Sequence, residues 1–217
     1  MKDTCLVGFS SGVEKFCASS AYSELLRWIR TNTDLKVAQS GAVIHAACES
    51  TLLLLEEGVW RLLVDQRKTL GVLVPGGMLW LDRPPRDYPG ATSRCEVMIS
   101  STYYEVPMRL VRESADSERL LAGVLEFASF NSRTITNMWL DQCGNDSYRK
   151  IRTALERMSK LPESIRFRLS AISYVVDTTG ISRSHALAIM KSLKEGGYID
   201  IDAGYLMGIA RKMPAAY

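Results

Sequence analysis

The chain has little with which to do chemistry. Only two histidines occur in 217 residues. There is no G-x-S-x-G elbow, no phosphate-cradling glycine loop and no metal-ligand triad, so the reading is that it is not an enzyme. The five cysteines, Cys5, Cys17, Cys48, Cys95 and Cys143, are odd in number and widely spaced. No C-x-x-C pair exists, which argues against tetrahedral zinc and against a disulfide framework. Reduced, mostly buried thiols are expected instead. No run approaches the roughly 20 apolar residues of a membrane span. The first seven residues, Met1 to Val7, carry too short an apolar stretch for a signal peptide. The expected setting is the cytoplasm, with no membrane contact.

What is present is ordinary for a globular protein, at 47% hydrophobic and 24% charged residues. The net charge of +3 hides an asymmetry. From Asp146 onward there are 12 Lys+Arg against 7 Asp+Glu, which leaves 15 against 17 for the rest of the chain. The last third is therefore basic, and an anionic partner is expected there alone.

Apolar spacing predicts a helix over Ser19 to Thr33, followed by short β-branched runs. These runs are Thr51 to Leu55, Val59 to Val64, Thr69 to Val74, Cys95 to Ser101 and Tyr103 to Val111, with Glu56-Glu57-Gly58 taken as a turn. Several short strands with regular turns argue for a small antiparallel barrel or jelly roll. The segment Arg83 to Gly90 contains three prolines and is expected to be an exposed loop. From Ser114 to about Cys143 no proline interrupts a helical pattern, read as one long helix or a short one leading into a long one. Its apolar residues Leu121, Val124, Leu125, Ala128, Ile135, Met138 and Trp139 exceed what one small barrel face covers, so pairing with a second copy is expected.

Beyond Gly144 the pattern is helix (Tyr148 to Lys160), helix (Glu163 to Thr178), helix (Ser182 to Glu195), then a hairpin turning at Ala203-Gly204. A glycine-containing turn, Thr179-Gly180-Ile181, joins the second and third helices. This is the order of a winged helix-turn-helix. In the last helix Ala186, Leu187, Ile189, Met190 and Leu193 are expected to be buried. Arg183, Ser184, His185, Ala188 and Lys191 would then face outward. Arg183 can fork onto guanine, Ser184 and His185 can bond to base edges or phosphate, and Ser182 and Lys191 suit phosphates. Arg211 and Lys212 are further candidates for backbone contact.

The run Gly180-Ile181-Ser182-Arg183-Ser184, with Lys191 to Ile199, resembles the DNA-binding domain of the Crp-Fnr regulators. The likeness is greatest to an enterobacterial branch named for inhibition of hydrogen peroxide resistance. It rests on Asn145 to Arg152, Ser182-Arg183-Ser184, Gly196-Gly197-Tyr198-Ile199 and Pro214 to Tyr217, about the last 75 residues. The resemblance implies an α+β chain. Residues 1–113 would be a helix plus a cyclic-nucleotide-binding-like antiparallel β-roll, 114–144 a long dimerisation helix, and 145–217 the winged helix-turn-helix. It implies a homodimer on a two-fold duplex DNA operator, with RNA polymerase as a further partner and a role in stress or oxidative-stress response. It carries Ser182 over to phosphate, and Arg183, Ser184 and His185 to bases. Two departures stand out. The family's glutamate after the Ser-Arg pair is Ser184, and its arginine one turn on is Ala188, so the family's usual operator is not expected.

For the sensing end, the family's Gly-Glu turn is replaced by Leu81-Asp82, and no Arg-Ser-Ala clamp follows, only Thr92-Ser93-Arg94-Cys95. An aspartate without a fixed arginine repels phosphate, so cyclic nucleotide binding is not expected. Cys5 and Cys17 are too few and too far apart for an iron-sulfur cluster. Haem held by His45 or a cysteine, and thiol redox chemistry at Cys95, Cys48 or Cys143, stay open. Arg94 is the one local candidate for activating Cys95. The alternative function is an adaptor that uses its winged helix for protein contact.

Overall fold

A computed structural model describes residues 5–7, 14–16, 20–45, 50–64, 68–81, 93–142 and 146–215. The chain folds as two compact units, with the boundary between Thr136 and Asn137.

The first unit begins with a short hairpin, β1 (Cys5–Val7) and β2 (Glu14–Phe16), followed by helix α1 (Ser20–Asn32). Tyr22, Leu25, Leu26 and Ile29 form the buried face of α1 at helical spacing. Six antiparallel strands follow: β3 (Leu35–Ala38), β4 (Val43–His45), β5 (Thr51–Val64), β6 (Lys68–Leu73), β7 (Met78–Leu81) and β8 (Ser93–Pro107). The order is β3-β8-β5-β6, with β4 also pairing β8 and β7 also pairing β5. The long strands β5 and β8 therefore bind the whole sheet together.

Both long strands correct the sequence reading. Glu56-Glu57-Gly58 is not a turn between two strands. It is an irregular stretch inside one strand, where the pairing with β8 shifts register on both sides of Glu57 and again after Val59. Gly58 sits there at φ +98°, beside Ser101. Likewise residues 93–107 are one strand, and Met108 to Val111 are helical, in α2 (Met108–Glu113). Pro107, at φ −57°, has no amide hydrogen to continue the ladder and stands where a helix can begin.

Helix α3 runs over Ser117–Gln142. Its Leu120, Val124, Phe127 and Phe130 join α1 and the β5, β7 and β8 residues Leu52, Leu54, Met78 and Val106 in one apolar core. Gly123 lets α3 approach α1, for a Cβ there would stand 2.6 Å from the Ala21 carbonyl oxygen. Of the residues expected to pair two copies, Val124 is instead covered by its own chain and Leu121 packs against the same core. Both look surplus in the sequence only because it does not show that α1 lies on this helix. Leu125 faces outward, 70% exposed, and Ala128 is half-buried. The side chains of Ile135, Met138 and Trp139 lie outside the described residues.

The second unit contains α4 (Ser147–Ser159), α5 (Glu163–Arg166), α6 (Ala171–Thr179), α7 (Arg183–Glu195) and the hairpin β9 (Ile199–Asp202) with β10 (Tyr205–Ile209). Asp146 caps α4 by accepting from the Arg149 amide. The single helix expected over Glu163 to Thr178 is two. Ser170 adopts an extended conformation and its hydroxyl accepts from the Ser173 amide, which starts α6 afresh. The Arg166 side chain is buried and donates to the Ser159 carbonyl, holding α5 against the end of α4. Among the described residues no helix is long and apolar enough to cross a membrane.

Candidate nucleic-acid interface

Local chemistry shapes the outer helix from its first residue. Helix α6 ends at Gly180, which takes φ +69°, a conformation that costs glycine little, and returns its amide to the Val176 carbonyl at 3.0 Å. Thr179 Oγ1 donates back to the Val175 carbonyl at 2.6 Å and accepts from the Ile181 amide at 3.3 Å. The chain is thereby fixed through the turn. Ser182 occupies the cap position of α7, yet its hydroxyl makes no capping bond. It is exposed, at the end of a helix whose first amides carry partial positive charge. That arrangement suits an anionic oxygen.

Along α7, Ala186, Ile189, Met190 and Leu193 are buried. Arg183, Ser184, His185, Ala188 and Lys191 are exposed, as the spacing implies. Lys191 also reaches Glu195 at 3.7 Å, a solvent-exposed pair of small worth. Leu187 departs from expectation. It is not in the core but 47% exposed. The buried stripe is narrower than the apolar count suggests, because α6 and the hairpin cover only one side of α7.

The hairpin turns through Ala203 at φ +47° and Gly204 at φ +86°, the paired positive angles of a type I′ turn. The Gly204 carbonyl accepts from the Ala171 amide at 2.9 Å, tying the turn to the start of α6. Lys194 donates to the Ile201 carbonyl at 2.7 Å. Arg211 bonds to the Gly196 carbonyl and stacks over Tyr198 with its guanidinium carbon 4.3 Å from the ring centre. At the end of the chain the Pro214 carbonyl accepts from Tyr148 Oη at 2.9 Å and Arg152 Nη1 at 2.8 Å.

These bonds sharpen the charge argument. Of the 12 cations in this unit, Arg152, Arg166, Lys194 and Arg211 serve internal bonds and Arg157 is buried. Arg211, read as a backbone contact, is thus occupied within the domain. The hairpin strand β9 presents exposed Asp200 and Asp202. Of the seven cations that remain, Arg183 and Lys191 lie on α7 and none lies on the hairpin strands, a distribution that net charge alone conceals.

This geometry of cap, turn, outer helix and hairpin coincides with a known pattern. Residues 147–215 match the family described as winged helix-turn-helix DNA binding. This segment is a winged helix-turn-helix domain. Most of the chain is similar in fold to solved regulators. FixK2 from Bradyrhizobium japonicum superposes with a TM-score of 0.64 at 15% identity, over 83% of this chain and 93% of that one. The c-di-GMP responsive global regulator CLP of Xanthomonas campestris gives 0.65 at 14% identity, over 88% and 100%. A protein of the crp/fnr family from Eubacterium rectale shares the fold as well, with a TM-score of 0.60 at 17% identity over 89% of this chain and 91% of that one. By sequence the chain is similar to the inhibitor of hydrogen peroxide resistance of Escherichia coli K12, 28% identical over 116 residues, 54% of this chain and 56% of that protein. It is 35% identical over 74 residues to the Salmonella typhimurium protein of the same description, 34% of this chain and 35% of that one. The matches span about half, or less, of the length of these curated relatives.

At the other end, Cys95 lies inside the β-sheet, fully buried, and burial pushes its thiol up to about 12. Arg94 does not bring it down. A reactive thiolate needs exposure and positive charge, and the structure supplies neither at this sulfur. Its interior neighbours on the paired strands include Leu62, Trp60 and Val97, all buried. His45, the candidate haem ligand, is exposed on β4 opposite Arg94. Cys48, Cys143, Asp82 and Thr92 lie outside the described residues. Among the described residues no group of three His, Cys, Asp or Glu side chains could hold a metal ion.

Proposed function

We propose that this protein is a sequence-specific, duplex-DNA-binding transcriptional regulator that acts as a homodimer. One observation carries the reading. Helix α7 buries its apolar stripe and turns Arg183, Ser184, His185 and Lys191 outward, beneath an uncapped, electropositive N-terminus. Arginine in that place forks onto guanine O6 and N7, serine and histidine reach base edges, and Ser182 and Lys191 take phosphates. The dimer would form along α3, where Leu125 and Leu140 stand 70% and 53% exposed on one long helix, apolar surface that an identical helix can cover. In such a dimer two α7 helices address successive major-groove turns of a two-fold site. Because its relatives are described as inhibitors of hydrogen peroxide resistance, we assign its target genes to that response, reached through RNA polymerase.

The test is selection of duplexes from a random pool by the full chain, followed by gel shift at physiological salt. Arg183→Ala is expected to lose roughly 1–3 kcal/mol of binding and to relax preference at one base pair per half-site. If no duplex is enriched over random DNA, the reading is wrong and the winged helix serves another partner. Deletion of the gene is expected to change survival in hydrogen peroxide, and unchanged survival removes the stress assignment while leaving DNA binding intact.

A further inference from the structure

Leu187 is the large apolar side chain of α7 that the fold leaves outside. Ile189, Met190 and Leu193 of the same helix are all buried, whereas Leu187 is 47% exposed. It lies four residues after Arg183 and four before Lys191, so the three share one strip of the helix surface. Its neighbour Ala188 is exposed and too small to shield it. A protein partner would be met by a cluster of apolar groups. A single leucine set between two cations fits a different surface. The major groove is lined by phosphates and hydrogen-bonding base edges, and the apolar group it offers is the C5-methyl of thymine.

We infer that Leu187 reads a thymine methyl in the operator, and so sets sequence preference next to the base pair read by Arg183. This rests on the DNA-binding reading above. It names a contact made by packing, which a hydrogen-bond inventory of the helix overlooks.

The experiment uses the full chain and the duplex that it selects. Each thymine of the half-site is replaced in turn by deoxyuridine, which removes one methyl and leaves every hydrogen-bonding group in place. Burying one methyl corresponds to about a fourfold change in affinity. The wild-type protein is expected to weaken by about that factor at one thymine per half-site. Leu187→Ala is expected to bind the unmodified duplex about as weakly, and to show no further loss at that thymine. Its fold by circular dichroism is expected to match the wild type, with a melting temperature lower by only a few degrees, since about half of the leucine is outside the fold already. Equal responses of wild type and Leu187→Ala at every thymine overturn the inference while DNA binding stands. Failure to select any duplex overturns both.

Discussion

Gly123→Ala sets two effects of known size against each other. Taken as a helix residue, Gly123 should gain from the change, since alanine is favoured over glycine in a helix interior by about 1 kcal/mol. Taken in the fold, it should lose. A Cβ at this position would stand 2.6 Å from the Ala21 carbonyl oxygen and 3.0 Å from Leu25 Cβ. The first contact is with backbone, which cannot rotate away as a side-chain tip would. Relief requires α1 and α3 to part, and both helices are anchored in one core through Tyr22, Leu25, Val124 and Phe127. Overpacking of this kind costs about 1–3 kcal/mol, and the upper part of that range applies where a backbone atom is struck. The net expectation is destabilisation of about 1–2 kcal/mol after the propensity gain is subtracted. At about 2–4 °C per kcal/mol for a chain of this size, the unfolding transition of the first unit should fall by several degrees. Thermal melting followed by circular dichroism reads this directly. A rise in melting temperature would refute the packing argument and show that the two helices have slack between them.

Further expectations concern both units. Ala203→Gly at the hairpin turn is expected to stabilise the second unit by up to about 1 kcal/mol, because alanine is strained at φ +47°; urea unfolding measures it. Gly204→Ala, at φ +86°, should do the reverse. Cys95 is expected to resist a thiol reagent at pH 8 until the protein is unfolded. Its folded value of about 12 lies above the ordinary 9.0, so the native state holds a proton that the unfolded chain releases between those values. Stability from this group is therefore complete below pH 9 and is lost progressively as pH rises from about 9 toward 12, a contribution that Cys95→Ala should remove. Leu125→Glu is expected to halve the mass seen by light scattering and to weaken operator binding, with the fold intact by circular dichroism. Lys191→Ala should weaken binding to all duplexes alike and lower the salt dependence by about one ion.

The winged helix-turn-helix is legible in the sequence because its signals are local. Gly180 closes one helix and Ser182 opens the next, and Ala203-Gly204 folds a hairpin whatever surrounds it. Each of these acts within four or five residues, where sequence and geometry are nearly the same thing. The helix α7 can be oriented from its spacing for the same reason, and Arg183, Ser184, His185 and Lys191 emerge on the outside as the pattern requires.

The misreadings share the opposite cause. Glu56-Glu57-Gly58 has the composition of a turn, and only the presence of β8 alongside makes it an irregularity within one strand. Val124 looks free to meet another copy, but α1 lies over it. The character of Leu187 points to the core, yet the described residues leave it 47% exposed. Cys95 stands next to an arginine in the chain but points into an apolar interior, and burial settles its acidity. Sequence by itself determined where the backbone turns and which face of a helix is apolar, since these depend on near neighbours. What covers each face, which cations are already bound and which thiol is shut away depend on segments far apart in the chain, and only the tertiary structure brings those together.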